Sequence, residues 1–108
     1  MSSYRKGLRV KQSENLLLVR EFYDRAQNRI VKGLATYGEF DANKDTRVLA
    51  HEAIEECIDI GNYLTFLEEK YPKLGLRIQK IRANTILLYG DLKVLEAEER
   101  TLTREGDA

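Results

Sequence analysis

Wherever apolar residues recur along this 108-residue chain they do so at steps of three and four, and no segment alternates with period two for long enough to make a strand. An α-helix turns about 100° per residue and stacks positions three and four apart on one face, whereas a strand needs every second side chain on the same side. The pattern therefore dictates an all-α chain. From Ser13, a residue suited to capping, Leu18, Phe22, Ala26, Ile30 and Leu34 repeat every four positions and predict a first helix ending near Ala35. The segment Thr36–Thr46 gathers Gly38, Asp41, Asn43 and Asp45, which favour turns, and is expected to be the longest loop. Asp45 or Thr46 can cap a second helix running to about Lys70. Tyr71-Pro72 stops it, because the residue before proline is pushed out of the α region. Leu74, Ile78, Ile81, Thr85, Leu88, Leu92 and Leu95 then alternate steps of three and four on a third helix, a narrow seam suited to helix-on-helix packing. The fold expected is three long antiparallel helices in a bundle completed by oligomerisation, spanning residues 13–99. A basic arm of uncertain order, 1–12, precedes it, and a polar tail that frays, 100–108, follows.

Charge narrows the function. Eighteen Lys and Arg balance eighteen Asp and Glu, which removes the overall positive field of a general nucleic-acid binder. One His and one Cys exclude a clustered Cys/His zinc site, and Cys57 has no partner for an internal disulfide. The absence of an apolar run long enough to span a bilayer, or of an N-terminal apolar core for export, leads to the expectation of a cytoplasmic chain with no membrane partner. Any hydrolytic chemistry has to come from carboxylates and a hard metal.

Such carboxylates stand on the second helix. With Glu52 at zero on the wheel, Glu55 falls near 300°, Glu56 near 40° and Asp59 near 340°, so the four share about 100° of arc. Leu49, Ala53, Cys57, Ile60, Leu64 and Leu67 occupy the neighbouring arc and Ile54 and Ile58 the far side, which suggests a central, buried helix. No Lys or Arg occurs in the 22 residues from Val48 to Glu69, so no intrahelical ion pair neutralises the stripe. Two sources of positive charge remain open: a divalent metal with oxygen ligands, or Arg77, Lys80 and Arg82 from the third helix.

At E-A-I-E-E-C-I-D-I-G-N-Y-L, residues 52–64, the sequence resembles the all-α nucleoside triphosphate pyrophosphohydrolases of the MazG-like superfamily. K-G-L-A-T-Y-G, residues 32–38, is similar to the stretch joining the first two helices in small phage-type members. The resemblance implies that Glu56 and Asp59 of the E-x-x-D, with Glu55 and assisted by Glu52, hold Mg²⁺ (or Mn²⁺). A remaining carboxylate, Glu52 or Glu55, would be the general base. It implies a triphosphate substrate, attack at the α-phosphorus, a role in removing unwanted nucleotides, and a homodimer or homotetramer. The superfamily usually carries a separate E-x-x-E on an earlier helix. Here Glu52 and Glu55 abut the E-x-x-D, and Glu21 and Asp24 of the first helix are the substitutes available.

Other residues have two readings each. Glu21, Asp24 and Asn28 share a face that either looks toward the stripe or is solvated. Arg77, Lys80, Asn84 and Asp91 form a polar row on the third helix, from which Lys80 and Asn84 are candidates for phosphate. Tyr37, with Gly38, either turns backbone N–H groups toward a ligand or simply ends the helix. His51 is read as a surface residue beside the stripe and Cys57 as a buried one. The rival to the enzyme is a non-catalytic helical oligomerisation or adaptor module, its stripe matched by basic residues of a partner helix.

Overall fold

The computed structural model describes the backbone of residues 2–107 and the side chains of residues 14–104. The described residues are helical and turn, with no strand, and the chain divides into two units, Met1–Asp45 and Thr46–Ala108.

The first unit is one long helix, α1 (Ser2–Tyr37), and a turn. α1 begins eleven residues before the Ser13 expected as its cap, so the basic arm is part of the helix. Its Arg, Lys, Leu and Gln residues are good helix formers, with no proline to interrupt them. The C-terminus is as the sequence suggests: Gly38 takes a left-handed φ of 79° and donates its N–H to the Leu34 carbonyl at 3.1 Å, a single bond that closes the last turn. Beyond it Asp41 organises the turn, its carboxylate accepting the Asn43 N–H at 3.0 Å and its carbonyl those of Lys44 and Asp45. Of the stripe Leu18, Phe22, Ala26, Ile30 and Leu34, only Ala26 is half-buried.

The second unit is a helical hairpin: α2 (Leu49–Lys70), a 3₁₀ turn at Pro72–Leu74, and α3 (Gly75–Asp107). So short a connection makes the two helices antiparallel neighbours. Cross-links confirm it, running from Gln79–Glu68 at the closed end through Cys57–Thr85 to His51–Glu96 and Ala50–Glu99 at the open end. α2 starts at Leu49, three or four residues later than expected, and neither Asp45 nor Thr46 caps it. Val48 occupies the cap position in extended geometry and has no side chain able to accept a hydrogen bond. α3 continues through the tail expected to fray, because Glu, Ala, Arg and Leu there support a helix and the Thr101 and Thr103 hydroxyls bond back to the Ala97 and Glu99 carbonyls.

Ala50, Ile54, Cys57 and Leu64 of α2 and Ile78 of α3 are the buried apolar residues. The buried face of α2 is thus centred between the two arcs drawn from the sequence, taking in Ile54 and leaving Leu49, Ile60 and Leu67 about 40% exposed. The seam of α3 divides likewise. Ile78 is buried and Thr85 and Leu92 are half-buried on the side of α2, with Arg82, Glu96 and Glu99 continuing that row, whereas Leu74, Ile81, Leu88 and Leu95 stay 43–51% exposed. No helix is long and apolar enough to cross a membrane among the described residues.

Candidate functional site

Glu52, Glu55, Glu56 and Asp59 lie together on one face of α2, as their spacing requires, and all four are exposed. The buried residues of α2 fall on the opposite side of the wheel, so the stripe points away from α3. This corrects the expectation of a buried acidic helix. Glu55 meets His51 Nε2 at 3.3 Å one turn earlier. Glu52, Glu56 and Asp59 make no side-chain hydrogen bond or ion pair among the described residues.

α3 does not neutralise the stripe within the chain. Arg82 is only 25% exposed because it turns into the hairpin, where its guanidinium lies 3.6 Å from Glu68, a carboxylate that also accepts from Gln79 at 3.1 Å. Arg77, Lys80 and Asn84 are exposed on α3, outside the face of α2 that carries the stripe. Tyr37, 88% exposed, ends α1 in the other unit, and Glu21 and Asp24 lie within that helix; Glu21 pairs with Arg25 at 3.7 Å. The carboxylates of the stripe are therefore brought together on α2, and Lys80 and Asn84 stand apart from them on the other helix of the hairpin.

The donor set can be tested for Mg²⁺. That ion asks for several oxygens about 2.1 Å away on one octahedron, and side chains radiating from an exposed helix face diverge. Among the described residues no three His, Cys, Asp or Glu side chains form a group that could hold a metal. The oxygens that the stripe offers to such an ion are those of Glu52, Glu55, Glu56 and Asp59.

A denser polar junction lies where the N-terminus of α2 meets α3. Glu99 accepts the Leu49 and Ala50 backbone N–H groups at 2.8 and 2.7 Å, supplying from across the hairpin the cap that Val48 cannot. One turn earlier on α3, Glu96 is buried and accepts from His51 Nδ1 at 2.9 Å and from Lys93 and Arg100 at 3.4 Å each. The hydrogen bond from His51 holds the Glu96 carboxyl below its ordinary pKa. Lys93 and Arg100 act in the same direction against the opposing effect of burial. Sequence reasoning passed over both glutamates, although Leu92, Glu96 and Glu99 continue the buried row of α3 at steps of four and three. Carboxylates in phase with a core row signal a cap or a buried network.

No family model, curated protein or solved structure matches the chain. The fold and this junction define an all-α protein built on an antiparallel helical hairpin with an exposed acidic face.

Proposed function

We propose that the chain is a magnesium-dependent nucleoside triphosphate pyrophosphohydrolase of MazG-like kind, which converts a triphosphate to the monophosphate and pyrophosphate and so removes unwanted nucleotides. One observation carries this reading: the residues that resemble the E-x-x-D motif stand on an open face, three of the four carboxylates without a partner among the described residues. Four adjacent negative charges repel a bare triphosphate, so the substrate is its magnesium complex, in which the cation screens both. Glu56 and Asp59 face that complex. Glu52 or Glu55 accepts the proton of the attacking water, the new bond forms at the α-phosphorus, and the bond to the bridging oxygen breaks with pyrophosphate leaving. Lys80 and Asn84, on α3, are phosphate contacts in this reading only in an assembled homodimer or homotetramer, which the resemblance also implies.

The test is pyrophosphate release with magnesium present. Glu56→Gln keeps the size and removes the charge, so turnover should fall on the order of 100-fold, whereas Lys80→Ala should mainly raise KM through one lost phosphate contact. Equal turnover in the parent and Glu56→Gln would remove the reading. A second reading, a non-catalytic oligomerisation or adaptor module, is favoured by the exposed apolar residues of the hairpin, among them Ile60, Leu67, Ile81, Leu88 and Leu95. It predicts no cleavage of any triphosphate.

A further inference from the structure

His51 joins the buried junction at the open end of the hairpin to the acidic stripe. Its Nδ1 lies 2.9 Å from Oε2 of Glu96, across on α3, and its Nε2 lies 3.3 Å from Oε1 of Glu55, one turn along α2. The two neighbours differ in kind. Glu96 is buried, is also held by Lys93 and Arg100, and keeps its carboxyl below the ordinary value, so it meets the ring as an acceptor only. Facing an acceptor, the neutral ring carries its one proton on Nδ1 and turns the lone pair of Nε2 toward Glu55. A proton arriving on Glu55 Oε1 thus finds a hydrogen-bond acceptor already in place. Glu52, Glu56 and Asp59 have no such neighbour among the described residues.

We propose that Glu55, rather than Glu52, is the general base of the stripe, and that His51 and Glu96 are its positioning residues: Glu96 fixes the ring, and the ring holds Glu55 and the proton it takes up. The inference rests on the pyrophosphohydrolase reading and chooses between its two candidate bases. An attacking water carries no charge with which to draw a loose side chain into line, so a base gains from being held beforehand. A carboxylate facing a cation is oriented by the cation itself, which leaves the untethered Glu56 and Asp59 suited to the magnesium complex. In the step, an O–H bond of the water breaks as its oxygen bonds to the α-phosphorus. The proton passes to Oε1 of Glu55, in hydrogen bond to Nε2 of His51, and the electron pair of the broken phosphorus–oxygen bond leaves on pyrophosphate. Before the step two acceptors face each other across 3.3 Å, and the arriving proton relieves that contact.

One substitution separates the two links of His51. The amide nitrogen of asparagine is as many bonds from Cβ as Nδ1 is, so His51→Asn keeps a donor for Glu96 and removes the atom that faces Glu55. With magnesium and a nucleoside triphosphate, turnover of the full chain should fall about tenfold in His51→Asn, the scale of losing an orienting partner, with KM unchanged because His51 touches no phosphate. Glu55→Gln should lose more turnover than Glu52→Gln, and His51→Asn added to Glu55→Gln should cost nothing further. A merely structural histidine would lower both backgrounds alike. With neither nucleotide nor metal, ¹⁵N spectra recorded above the ordinary histidine range should place the ring proton on Nδ1 in the parent. Glu96→Gln should mix the two tautomers, since its amide can face the ring with either oxygen or nitrogen. If the parent cleaves a triphosphate but Glu52→Gln loses more than Glu55→Gln, or the double substitution multiplies the two losses, the proposal is overturned and the enzymatic reading stands. A ring proton on Nε2 in the parent overturns it whatever the activity. A parent that cleaves no triphosphate removes the reading and the proposal together.

Discussion

Glu96 is the side chain whose environment departs most from its sequence context. An acidic residue in a polar stretch near the chain's end reads as solvated, yet this one is buried between His51, Lys93 and Arg100. Its carboxyl is held below the ordinary value, above all by the hydrogen bond from His51. A carboxylate with a depressed folded-state pKa contributes stability that is present above its unfolded value and lost as pH falls through the folded one. Acid titration followed by circular dichroism should show that loss below about pH 4, the ordinary carboxylate range. Glu96→Gln should be less stable than the parent at pH 7 and show a shallower loss in acid. A parallel pair of curves would contradict the role given to Glu96. The stripe residues present the opposite case: their shared face was legible from spacing, but their exposure was not. Which arc of α2 is buried depends on the helix it packs against, and the wheel does not contain that information.

At the scale of elements, the helices were legible in number and order, and their ends only where local chemistry sets them. Gly38 and Pro72 act through their own backbone geometry, so the sequence alone located the end of α1 and the break after α2. The start of α2 is set instead by Glu99, fifty residues away, which no local pattern announces. Removing that carboxylate's charge and one of its two acceptors should cost about 1 kcal/mol, the usual scale for losing an N-terminal cap. Denaturant titration of Glu99→Gln should show this as a lower midpoint with an unchanged slope, with faster amide exchange at Leu49 and Ala50 than in the parent. Protection of those two amides equal to the parent's would mean that the start of α2 is held by something else. The seam of α3 was legible as one row and proved to be two, because alternating steps of three and four describe a stripe wide enough to serve two neighbours.

For the whole molecule, apolar surface and acidic surface point in one direction. In the hairpin Ile60, Leu67, Ile81, Leu88 and Leu95 are 40–51% exposed, and most of the apolar stripe of α1 is also exposed in its own unit. In the proposed reading the chain associates, and the acidic stripe gains ligands from a second copy. The stretch that resembles the E-x-x-D motif and the open carboxylates then belong to the proposed reading, in which the stripe cleaves a magnesium-bound triphosphate at its α-phosphorus. The measurement that reaches this claim most directly is product identity: the purified full chain is incubated with magnesium and a panel of nucleoside triphosphates, and the phosphorus products are resolved by ³¹P NMR. The account predicts nucleoside monophosphate and pyrophosphate in equal amounts from at least one triphosphate. Diphosphate with orthophosphate, or no cleavage of any triphosphate by the associated protein, would contradict it.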